Sequence, residues 1–175
     1  YIISWNDKND IGVLNKIRDQ VRCWMEQEHE VQVWVLTRDN FKAELPAELP
    51  GYRIFNCFRI VLPGMRQAER FIRQSFSMRQ IARELQAVQP DMIYYRQHIW
   101  LPWLNGVLQH FPVVMEINGL DTEELKFSNR VRRMVYLAGK SSILRRANGL
   151  VAVTNEIADA YRAYHKPVRV ISNGI

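Results

Sequence analysis

The sequence predicts an α/β fold: a parallel sheet with helices on both faces. Three observations point there. Short β-branched runs alternate along the chain with stretches of helical period, a parallel strand needs a helical crossover, and right-handed crossovers cover both faces of such a sheet. At 175 residues with 47% hydrophobic content, the chain is long enough for one domain with a sizeable core. No internal repeat, low-complexity tract or interdomain linker interrupts it.

The elements follow in order. "YIISW" reads as a strand ending at the polar loop "NDKND". From Ile11 to about Glu28, Leu14, Ile17, Val21 and Trp24 recur at helical spacing. "EVQVWVLT" alternates as a strand, "AELPAELPG" breaks the pattern, and "YRIFNCF" is a third strand. After Pro63 and Gly64, residues 66–88 form a long helix that offers Phe71, Ile72, Met78, Ile81, Leu85 and Val88 to the core. "PDMIYYR" and "PVVMEIN" are strands joined by a helical connection interrupted near Pro102. A long broken helix is expected from about Asp121 to Ala147, then strand "GLVAVT", helix "NEIADAYRAYH" and strand "VRVIS".

The longest apolar runs, "VQVWVLT" and "HIWLPWL", fall far short of the ~20 residues that span a bilayer. Cys23 and Cys57 lie in no metal-ligand spacing and are expected to be small buried hydrophobes. His29, His98, His110 and His165 show no metal spacing either and read as surface or capping residues. The net charge of +6 implies attraction to something anionic: nucleic acid, lipid headgroups, a diphosphate or an acidic domain. Arg66, Arg70, Arg73, Arg79 and Arg83 form one basic helix, and Arg130, Arg132, Arg133, Lys140, Arg145 and Arg146 another. Each is either a solvated face or a surface for anionic lipid. Trp100 and Trp103 read equally well as core residues or as an aromatic wedge.

In an open parallel sheet, ligands bind beyond the carboxyl ends of the strands. Gly12 stands at the mouth of the first helix, where backbone amides can cradle a phosphate, with Lys16 one turn inside. A dinucleotide fingerprint needs three glycines in that loop, so a nicotinamide cofactor is not expected. Arg96 ends the fourth strand and either binds a phosphate or pairs with Glu116 across adjacent strand ends. Glu116, near the end of a core strand, needs loop amides, a cation or a ligand hydroxyl as partner. Thr154 and Asn155 are helix-cap residues that also stand at a strand end.

Read in order, six segments resemble the N-terminal domain of GT-B glycosyltransferases, most closely the retaining family-four group. They are "NDIG" with its helix, "HEVQVWVLT", "QPDMIYYR", "PVVMEING", "RRANGLVAVTNEIADAY" and "VRVISNGI". The resemblance implies a Rossmann-like, acceptor-side domain over residues 1–175, trimmed at both ends and separated from the C-terminal domain that binds the nucleotide sugar. It implies transfer from a nucleotide-sugar donor, which is a substrate rather than a cofactor, to a saccharide or lipid-linked acceptor in polysaccharide or glycolipid synthesis. It implies a cytoplasmic protein, peripheral at a membrane, with this half inactive alone. The residues it places near donor or acceptor are Gly12, Lys16, Arg96, Glu116, Asn118, Thr154, Asn155, Asn173 and Gly174, the last two where relatives cross into the second domain. Many relatives carry His where this chain has Asn118; an amide is no acid or base near neutral pH, which leaves sugar hydrogen bonding. The competing reading is a non-catalytic nucleic-acid-binding module. It requires aromatics interleaved with basic residues on one exposed face, whereas most aromatics here fall at core spacing.

Overall fold

The computed structural model describes residues 1–5, 11–37, 52–55, 64, 66–96, 101, 103–120 and 130–172. In chain order they form β1 (Ile2–Trp5), α1 (Ile11–Glu26), β2 (Trp34–Thr37), β3 (Arg53–Phe55), α2 (Arg66–Val88), β4 (Ile93–Arg96), α3 (Leu104–His110), β5 (Val113–Ile117), α4 (Arg130–Arg146), β6 (Gly149–Ala152), α5 (Asn155–Tyr161) and β7 (Val168–Val170). The strands make one seven-stranded sheet in the order β3-β2-β1-β4-β5-β6-β7. Every pairing in it is parallel.

The chain winds one way from β1 to β3 and the other way from β4 to β7, so right-handed crossovers send α1 to one face and the later helices to the opposite face. Strand parity shows the result. Ile3, Val33 and Val35 pack with Ile17 and Val21 of α1. Their neighbours Ile2, Trp34 and Leu36 turn to the larger core, with Met78, Ile81 and Leu85 of α2, Leu104 of α3, Leu144 of α4 and Ile157 of α5. The direction reverses between β1 and β4, which makes their carboxyl ends the switch point where open parallel sheets bind ligands.

Some expectations from the sequence change. The second strand begins at Trp34 and not Glu30, because its ladder partner β1 starts at Ile2, which registers on Trp34. The third spans Arg53–Phe55; Cys57 and Phe58 lie outside the described residues. The broken helix appears as α4, and residues 121–129 lie outside the described residues. Cys23 is exposed and not buried, because it stands about 200° around α1 from the inward Val21. Val88 is 44% exposed, since α2 ends one turn past Leu85, its last buried contact. Arg73, assigned to an exposed basic face, is buried and paired with Glu69 one turn earlier. That pairing removes it from the cationic surface of α2.

Candidate functional site

The switch-point end of the sheet collects the carboxyl ends of β1, β4, β5 and β6. Gly12 is the second residue of α1 and is exposed. Its φ lies outside the left-handed range, and a Cβ added there would meet nothing within 4 Å. Neither a turn nor packing in this domain requires glycine at that position.

Lys16 sits one turn further along α1 and points inward. Its Nζ donates to Oε1 of Glu116 at 2.9 Å across 100 residues of sequence. Glu116 is fully buried, and its other oxygen accepts from the Tyr94 hydroxyl at 2.9 Å. Arg96 is in register with Glu116 on the neighbouring strand, with Nη1 at 3.9 Å from Oε1. The carboxylate therefore has the cation and hydroxyl donors that offset its desolvation. Beneath it Tyr1, Trp24 and Tyr94 form an aromatic cluster, with Tyr1 stacked on Tyr94 at 5.2 Å and Trp24 edge-on to Tyr94 at 5.1 Å.

The other assigned residues among those described make no hydrogen bond or ion pair to this cluster. Asn118 is the residue after β5, and its Oδ1 is buried without a hydrogen-bond partner. Thr154 caps α5, its side chain accepting from Ile157 N at 3.2 Å, and Asn155 is the exposed first residue of that helix. Asn173 and Gly174 lie outside the described residues, as do His98 and residues 6–10, 97–100 and 121–129. His110 contacts Gly106 O through Nδ1, His165 closes the turn after α5 with φ 53°, and His29 is exposed. Among the described residues no three His, Cys, Asp or Glu side chains group as a metal site.

The sequence reading missed Tyr94, Tyr1 and Trp24. Parity offered a signal for the first: in "IYYR" Tyr94 and Arg96 point the same way, toward the face Glu116 occupies in "VVMEI". Burial pushes the phenols of Tyr94 and Tyr95 well above the ordinary value of 10.0, and for Tyr94 the Glu116 charge adds to it. Tyr1 is raised in the same way. The sign follows from linkage: these groups favour folding fully below the unfolded value, and their contribution is lost as pH rises toward the folded values. Stability is expected to fall progressively above pH ~10, with tyrosinate absorbance appearing together with loss of the circular dichroism signal. Normal tyrosine titration within an intact fold would contradict this.

The profile of Glycosyltransferase Family 4 matches residues 12–175. No curated protein matches the chain significantly in sequence. Among solved structures it superposes on a UGT transferase from Siraitia grosvenorii, crystallised in complex with UDP, with a TM-score of 0.55 at 12% identity. The match takes in 98% of this chain and 50% of that one, so the chain spans about half its length. At that identity the likeness concerns the fold alone.

Proposed function

The chain belongs to glycosyltransferase family 4, and on that premise we propose that it is the acceptor-side domain of a retaining glycosyltransferase that moves a sugar from a nucleotide-sugar donor to a saccharide or lipid-linked acceptor. The observation that carries the reading is the family match over residues 12–175. The reversal of strand order between β1 and β4, the switch point at which doubly wound sheets bind ligands, supports it.

Several of the assigned residues then have a physical role. The open Gly12 position lets the donor diphosphate approach the first amides of α1, where the helix dipole favours negative charge. Arg96 lends positive charge at the end of β4. Asn118 hydrogen-bonds a sugar hydroxyl, and Thr154 and Asn155 border the same end of the sheet. A further domain supplies most donor contacts, and the departing diphosphate takes the proton of the acceptor hydroxyl, so this half carries no strong base. That UDP accompanies the structure of similar fold favours a uridine nucleotide as the first donor to try.

Titrating the full-length protein with UDP, GDP and a panel of nucleotide sugars tests this. Micromolar binding of one nucleotide, turnover of its sugar, and negligible binding by residues 1–175 alone are expected. Micromolar nucleotide binding by this domain alone would overturn the division of labour, and no binding by the full-length protein would overturn the reading.

We also propose a cytoplasmic enzyme, peripheral at an anionic membrane. Met134 is 71% and Leu137 48% exposed on α4, beside exposed Arg133. Trp103 is 44% exposed with the Arg79 guanidinium over its ring at 5.1 Å. Among the described residues no helix is long and apolar enough to cross a membrane. Co-sedimentation with vesicles should be strong with anionic lipid at low salt, weak at high salt and weak with neutral lipid. Met134→Glu with Leu137→Glu should weaken it several-fold. Indifference to lipid charge would return the arginines to a solvated role.

A further inference from the structure

Glu116 is the one fully buried carboxylate among the described residues, and three segments converge on it. Lys16 reaches it from α1, and Tyr94 and Arg96 reach it from β4, while Glu116 itself belongs to β5. Each segment also carries a residue at this carboxyl end of the sheet. Gly12 lies four residues before Lys16, about 6 Å of helix rise, Arg96 is the last residue of β4, and Asn118 follows Glu116 by two positions. The Glu116 carboxylate thus ties together the supports of these three residues while turning away from solvent.

We propose that Glu116 is a positioning residue and Lys16 its lever: the ion pair between the buried carboxylate and the partly exposed ammonium sets the mouth of α1 against the end of β5, and neither side chain binds substrate. The proposal reassigns both from ligand contacts to the frame that holds them. It rests on the glycosyltransferase reading only for its activity readout. The energetic reason is specific. A lone carboxylate at 0% exposure is costly to keep ionised, so α1 is held wherever Lys16 can reach Oε1. A shift of about an ångström at the α1 mouth then carries a catalytic cost, because turnover depends steeply on how the reacting groups are placed.

The test is a double-mutant cycle in the full-length enzyme, with Lys16→Met, Glu116→Gln, the double variant and Lys16→Arg. Melting temperature, UDP and GDP affinity, and turnover at saturating donor well below the melting temperature are measured for each. Each single variant should lose about 10–100-fold in turnover with nucleotide affinity changed by no more than about threefold. The double variant should be no worse than the poorer single, and Lys16→Arg should recover most of the activity. A Lys16→Met variant that loses nucleotide affinity tenfold or more while Glu116→Gln keeps it would make Lys16 a direct phosphate ligand and overturn the proposal. Losses that multiply in the double variant would overturn it too. Should the single variants prove too unstable for kinetics, melting temperatures decide: non-additive destabilisation supports the pair, and additive destabilisation excludes it. If the glycosyltransferase reading itself is wrong, the wild-type protein binds no nucleotide, while the melting cycle still reports on the pair.

Discussion

Gly12→Val in the full-length enzyme is expected to lower turnover by about 100-fold or more while leaving the melting temperature nearly unchanged. Two facts set this balance. Gly12 sits in the first turn of α1 with φ outside the left-handed range, and a Cβ there meets nothing within 4 Å among the described residues. At a turn glycine with positive φ, by contrast, valine would strain the backbone by ~1–3 kcal/mol. The helical geometry removes that source of strain, and valine is no worse than glycine within a helix. What remains is the space above the helix mouth, which the proposed mechanism fills with the donor diphosphate. A branched side chain obstructs that approach in the closed enzyme and not in the isolated domain. Turnover and thermal melting measured on the same preparation separate the two effects. A variant with near-normal turnover would take Gly12 out of the site, whatever its stability.

Local signals in the sequence were read closely, and contacts that depend on topology were not. The span of α2 was legible to the residue because Pro63 and Gly64 precede it and its apolar positions keep helical period. Thr154 was legible as a cap because capping is decided within three residues. The need of Glu116 for a partner was legible too, since a carboxylate in a β-branched run cannot stay unpaired. The identity of that partner was not. Lys16 is 100 residues away and resembled any lysine on a solvated helix until the order of the sheet brought α1 beside β5. The same limit explains Arg73. Its spacing placed it on a basic stripe, but the stripe rotates around α2, and an acid one turn earlier was available to neutralise it in the interior. Cationic patterning therefore overstated the charged face of α2, while exposure of Met134 and Leu137 on α4 was not anticipated.

Tyr95→Ala should be among the most destabilising single changes in the domain, and Tyr95→Phe should cost nothing. Tyr95 is 1% exposed on the central strand β4, flanked in register by Ile2 of β1 and Met115 of β5. It shares one buried cluster with Met78 and Ile81 of α2, so truncation opens a cavity where the sheet and its crossover helix meet. Removing a buried aromatic ring costs ~3–5 kcal/mol. For a chain of this size that corresponds to roughly 6–20 °C in melting temperature. The hydroxyl contributes in the opposite sense: it is buried without a hydrogen-bond partner, and burial alone raises its pKa. Phenylalanine keeps the ring and removes a desolvated donor, a change expected to be neutral or to stabilise by up to about 1 kcal/mol. The Phe variant should also delay the alkaline loss of structure, because one of the phenols that must ionise on unfolding is gone. A Phe variant destabilised by more than about 1 kcal/mol would mean that the Tyr95 hydroxyl has a partner in the folded protein, and the ring alone would no longer account for the cost of the Ala variant.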